Sequence, residues 1–182
     1  MLLLVGNFAC GTPAGPCPPG TFADGDRASA LSATVRGTLA GRGLAIDSTM
    51  ICFGGGARGT VRSEGLMVLA ASLESDAAAA RLTHIGMHVA DRLHAFPMAG
   101  VPCERQVEIA LTAEARAIVA EIEVCDELKC DAAPYTFTAA VLAVTSSERA
   151  AQVLARLQSE PKTDGLDMLV RGYRARCEDG GE

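Results

Sequence analysis

Seven cysteines, Cys10, Cys17, Cys52, Cys103, Cys125, Cys130 and Cys177, are spread along 182 residues with no CxxC pair among them. A zinc ribbon or a thioredoxin-like redox site needs such a pair, so the spacing sets both aside. Scattered thiols in this number fit an oxidising compartment, where bridges staple the chain. Cys125 and Cys130 stand five apart, and in a continuous helix their Cα atoms lie beyond the ~7 Å limit for a disulfide. They pair only if the helix ends or unwinds around Lys129, which the following Asp131-Ala132-Ala133-Pro134 permits. For Cys17, Cys52, Cys103 and Cys177 the partners stay open, because sequence does not give connectivity.

The odd total is addressed at the N-terminus. Met1-Leu2-Leu3-Leu4-Val5 leads to Asn7-Phe8-Ala9-Cys10-Gly11, followed by Pro13, Pro16, Pro18, Pro19 and several glycines before Asp24. The order of apolar run, small residue, cysteine and Pro/Gly tether resembles the end of a bacterial lipoprotein signal. No basic n-region precedes the run, which is shorter than the usual run of about 7–15 residues, and Asn7 stands where the lipobox usually has Leu. This resemblance implies export to the periplasm or cell envelope and lipidation at Cys10, with residues 1–23 as leader and tether. The alternative is a loosely packed leader on a cytoplasmic protein. With Cys10 lipidated or removed, six cysteines remain, enough for three bridges. No other stretch approaches the ~18 apolar residues of a membrane span, so any membrane link is by an anchor.

Behind the leader, 49% hydrophobic and 21% charged residues suit a chain that buries a core. Sixteen basic against 22 acidic residues, with a pI near 5.1, leave no basic footprint for nucleic acid. The expected partner is a protein or peptide of unknown identity. Asp26 can cap a helix carrying Leu31, Val35 and Leu39, ended by Gly41 and Gly43. Met50–Phe53 and Leu66–Leu69 read as short strands paired across the glycine-rich connection. Ser72 or Ser75 then caps a helix from about Asp76 to Ala95, with Ala78, Leu82, Ile85, Val89, Leu93 and Phe96 as one apolar stripe. A loop over Phe96–Pro102 precedes a long helix from about Glu104 to Lys129. Tyr135–Val144 reads as either strand or helix, Thr145 and Glu148 have capping-box spacing for a helix to Gln158, and a last helix spans about Asp164–Arg176. The expected fold is one mostly helical α+β domain over 24–177 with a small β-sheet or hairpin, and 178–182 as tail.

Gly54-Gly55-Gly56-Ala57-Arg58-Gly59-Thr60 superficially resembles a phosphate loop. It lacks the Lys before Thr60, and a strand rather than a helix follows, so a glycine-rich connection is the better reading. No GxSxG elbow supports serine hydrolysis.

All three histidines lie in one stretch, and His84 and His88 stand at i and i+4, one helical turn apart, where both imidazoles can reach one metal ion. The order strand, helix with HxxxH, loop and long acidic helix over about residues 50–125 resembles the core of the zincin metallopeptidases. The resemblance implies a zincin-like helix arrangement and a zinc site at His84 and His88, with a Glu of the later helix as third ligand. Ile85 occupies the place of the family's catalytic Glu, so no side chain there can take a proton from a metal-bound water, and hydrolysis by the usual route is lost. Thr112 stands where the third-ligand Glu belongs, which leaves Glu108 and Glu114 as replacements if the second helix is shifted. His94 completes the metzincin spacing, yet Asp91 replaces the turn-forming Gly, and on a continuing helix His94 points away from the other two.

The residues admit blander roles as well. His84 and His88 lie at the edge of the apolar stripe, where hydrogen bonding to a neighbouring element serves as well as ligation. Glu114 and Glu121 sit near a buried seam and suit ion pairing with arginine, of which the 16 basic residues include 14, the only lysines being Lys129 and Lys162. Three functions stay in view. The first is an exported or lipid-anchored protein with a degenerate, non-catalytic zincin-like domain acting in binding or structure. The second is a zinc-dependent hydrolase using His84 and His88, and the third is a disulfide-stapled helical interaction module.

Overall fold

The computed structural model describes residues 17–55, 60–61, 65–159 and 166–179, so Cys10 and the apolar run before it lie outside the described residues. Helix α1 (Gly25–Gly37) starts where Asp24, rather than Asp26, accepts the Arg27 amide, and it buries Leu31 and Val35. It stops before Gly41, which leaves Leu39 exposed instead of on the buried stripe.

Four short strands form one sheet in the order β1-β2-β4-β3: β1 (Thr21–Phe22), β2 (Ile51–Gly54), β3 (Thr60–Val61) and β4 (Met67–Ala70). The two apolar runs do not form the expected hairpin. β2 and β4 pair in parallel, Ile51 opposite Met67, while β1 and β3 pair antiparallel at the edges. The chain between them passes through the far-edge strand β3, and their unbroken apolar runs suit the buried parallel pairing that results, β2 being buried throughout. β1 comes from the segment assigned to the tether, and Cys17 is bridged to Cys52, so the domain takes in Cys17–Phe22 as well. At Gly54 the edge strand approaches so closely that a Cβ would lie 2.7 Å from Thr21 Cγ2.

Helix α2 (Ser75–Ala90) begins after Glu74 without a side-chain cap, so neither Ser72 nor Ser75 plays the expected part. It ends well before Ala95, because Arg92 takes a left-handed conformation (φ 59°) and turns the chain into a 3-10 turn over Leu93–Ala95. His94 therefore does not continue the α2 helix, and its side chain lies outside the described ones. Helix α3 (Cys103–Leu128) stops at Lys129, also left-handed, and Cys125 and Cys130 are bridged across that turn. The ambiguous stretch resolves into a short helix α4 (Thr138–Leu142) with no strand. Helix α5 (Ser146–Gln158) carries the capping box of Thr145 and Glu148, and α6 (Leu166–Asp179) extends into the expected tail and is bridged to α3 through Cys103–Cys177.

The chain is thus a mostly helical α+β domain with a small sheet. Its apolar residues form two main cores. Leu31, Val35, Ile51, Phe53, Leu69, Leu82 and Ile85 pack together on the sheet side, and Leu111, Ile118, Ile122, Val141, Val153 and Leu157 on the side of α5 and α6. α2 turns one face to the sheet-side core and the other to α3. Between these apolar layers runs a polar seam, and His84 and His88 lie in it.

Candidate metal centre

His84 and His88 reach the seam by helix geometry. His84 and His88 share one face of α2, and their rings meet edge to face with centroids 4.6 Å apart. On α3, Glu114 and Glu121 are two turns apart, so both carboxylates also share a face. Arg81 meets Glu121 and His88 meets Glu114, which shows that the two helices run antiparallel. All four side chains are at least nine-tenths buried, His84 and Glu114 almost entirely so.

The His84 ring bridges the two carboxylates. Its Nδ1 lies 2.8 Å from Glu121 Oε2, and since a carboxylate offers no proton, the short contact places one on Nδ1. Nε2 lies 3.4 Å from Glu114 Oε2, an electrostatic contact without hydrogen-bond geometry. His88 Nε2 is 3.3 Å from Glu114 Oε1. Two tyrosines close the ends: Tyr173 donates to Glu114 Oε1 at 2.6 Å, and Tyr135 donates to Glu121 Oε2 at 2.7 Å. Arg81 donates to the same Glu121 oxygen at 3.1 Å.

Charge follows from these contacts. Burial works against a charged His84 ring, but Glu114 and Glu121 overcome it and hold the imidazole pKa above its ordinary value. Burial also opposes ionisation of Glu121, yet His84 and Arg81 bring its pKa down to about 2. Glu114 is likewise driven well below the carboxylate range, against burial, by His84 and His88. Burial together with the neighbouring carboxylates keeps both tyrosines protonated and able to donate.

The donor set at the Glu114 end could hold a metal ion. One atom each from His84, His88 and Glu114 come within 4.8 Å of one another. His84 Nε2 lies 3.4 Å from Glu114 Oε2 and His88 Nε2 lies 3.3 Å from Glu114 Oε1, so the two imidazoles face opposite oxygens of one carboxylate. Among the described residues, Glu114 Oε2 and His88 Nδ1 are buried without a hydrogen-bond partner. Glu121 holds Nδ1 of His84 and leaves Nε2 for a metal, the arrangement that orients ligating histidines in general.

Of the replacements for the third ligand, Glu114 joins the cluster and Glu108 does not. Glu108 is exposed and pairs with Arg105, one turn away on the outer face of α3. Thr112 is exposed as well and bonds the Glu108 carbonyl, while Glu114 turns into the seam. Ile85 is buried in the sheet-side core, away from the seam. Ion pairing of Glu121 with an arginine is found, with Arg81 as its partner. The two tyrosines escaped sequence reasoning, although one signal was there: they are the only tyrosines in the chain, and both end on this cluster.

Every cysteine from Cys17 to Cys177 is bridged, as Cys17–Cys52, Cys103–Cys177 and Cys125–Cys130, the state of a chain matured in an oxidising environment. No helix among the described residues is long and apolar enough to cross a membrane. In comparisons with known proteins, the chain matches no protein-family model, no curated protein and no solved structure.

Proposed function

We propose that this is an exported, disulfide-stapled protein whose degenerate zincin-like helix pair holds a zinc ion at His84, His88 and Glu114 as a binding or structural centre, without hydrolysis. One observation carries the reading: both imidazoles and the Glu114 carboxylate converge in a buried seam, with Glu121 fixing the His84 tautomer. The zincin-like part is supported by the placement of α2 against β4 on one side and α3 on the other. Bound there, zinc would stand in for the proton between His84 Nε2 and Glu114 and tie α2 to α3.

The non-catalytic part rests on two facts. Ile85 is committed to the apolar core, and Glu121, the other carboxylate of the cluster, already accepts from Tyr135 and Arg81 and contacts His84. Neither can serve as general base. A lipid at Cys10 would anchor the domain to the envelope.

Metal analysis of the protein purified without reductant tests the reading. One equivalent of zinc is expected in the native chain and none in the His84→Ala/His88→Ala variant. A native chain that stays metal-free after dialysis against zinc overturns it, and chelator-sensitive peptide hydrolysis would return the domain to the enzymes.

A further inference from the structure

One wall of the seam is unlike the others. After α3 ends, the left-handed Lys129 turns the chain back, Cys130 donates to the Cys125 carbonyl at 3.0 Å, and Cys125–Cys130 bridges the turn. Residues 131–134 then cross the seam without regular structure. Among the described residues, no backbone–backbone hydrogen bond ties them to α2 or α3. Beneath Ala132, Ala133 and Pro134 lies a cavity of about 190 Å3 whose floor includes Arg81 and Glu121, the outer edge of the cluster. The crossing ends at Tyr135, whose hydroxyl donates to Glu121 at 2.7 Å and lies 3.4 Å from His84 Nδ1. A segment poor in backbone bonds is thus held by a bridge at one end and a phenol at the other.

We propose that Lys129–Tyr135 is a thiol-sensitive strap over the buried centre, clamped by Cys125–Cys130 and latched by Tyr135, and that reducing the bridge opens His84 to solvent and speeds metal exchange. The metal half rests on the zinc reading above; the opening of His84 does not. Cys130 is half-buried whereas Cys125 is buried, so a dithiol reductant attacks at Cys130. Its thiolate forms a mixed disulfide with Cys130 and expels the Cys125 thiolate, which takes up a proton. The second thiol of the reductant then displaces Cys130 as a thiol and leaves the reductant oxidised to a disulfide. Cys125 lies one turn beyond Glu121 on α3, so the clamp is anchored beside the carboxylate that the latch holds.

The full chain with its other two bridges intact provides the test, comparing the native protein with Cys125→Ser/Cys130→Ser. One readout is the rate at which diethyl pyrocarbonate modifies His84 in the metal-free protein, with His88 as internal reference. The other is the rate of zinc transfer to a chromogenic chelator. Both rates should rise about tenfold in the variant, the factor for losing one hydrogen bond to a carboxylate in a local opening, while His88 keeps its native reactivity. Unchanged His84 reactivity overturns the strap, and so does an equal rise at both histidines, which marks general loosening. If the double variant does not fold, Tyr135→Phe decides with the bridge intact: faster modification of His84 supports the latch, and an unchanged rate overturns it. Should neither protein take up zinc, the metal reading has failed, and His84 reactivity alone judges the strap.

Discussion

The two ends of the buried seam are built from the same parts, a carboxylate on α3, a histidine of α2 and a tyrosine from outside the helix pair, yet they differ in saturation. At the Glu121 end one oxygen takes contacts from Arg81, His84 and Tyr135, so a cation is already in place. At the Glu114 end Tyr173 supplies the hydrogen bond, while Glu114 Oε2 and His88 Nδ1 have no hydrogen-bond partner among the described residues. Satisfied buried networks fix a structure, and under-satisfied ones leave room for a ligand or a proton. On the zinc reading proposed above, the difference puts the metal at the Glu114 end, while the Glu121 end contributes a fixed His84 ring.

Removing the saturated end should have the largest effect. Glu121→Ala takes one carboxylate from Arg81, His84 and Tyr135 together and should cost about 3–5 kcal/mol by chemical denaturation, as when one partner of a buried ion pair is lost. At the unsaturated end the expected gain is from metal: zinc at a hundred times its Kd should stabilise the native chain by about 2.7 kcal/mol. Glu114→Gln should abolish that gain, as read by thermal unfolding with and without zinc. The phenols come next. Tyr173→Phe takes away the hydrogen bond of Glu114 and should cost about 1.5 kcal/mol, whereas Tyr135→Phe leaves Glu121 two other partners and should cost closer to about 1 kcal/mol. An equal loss at both tyrosines would remove the distinction between the ends.

The ends should also separate by pH in the metal-free protein. Glu121 has its pKa lowered from 4.5 to about 2, so its contribution is complete above pH 4.5 and is lost as pH falls from there toward 2. The His84 pKa is raised above 6.5, so its contribution is complete below pH 6.5 and is lost as pH rises through the raised value. Stability measured by denaturant midpoint should therefore be highest between these values. Glu121's share of the acid loss should be missing from the profile of the Glu121→Gln protein, and the alkaline loss from that of His84→Ala. A midpoint that is flat on either side would show the corresponding group to be unlinked to folding.

Much of this was legible because it depends on spacing along one element. His84 and His88 are one turn apart whatever packs against them, and Cys125 and Cys130 require a break at Lys129, where the left-handed turn is found. The choice between Glu108 and Glu114 was not legible. Both lie on α3 within two turns, and only the rotation of that helix against α2 sends one to solvent and the other to the seam. β2 and β4 illustrate the same limit: their apolar runs mark strands, but direction depends on a connection that crosses to the far edge through β3.

The sequence by itself determined a disulfide-rich, mostly helical domain with two histidines on one helix face and no base at Ile85. Tertiary structure alone decided that Glu114, Glu121, Tyr135 and Tyr173 complete the cluster. Backbone geometry writes local periods into the chain directly. The contact of Arg81 with Glu121 spans 40 residues and that of Tyr173 with Glu114 spans 59, and only the packing of the helices brings such pairs together.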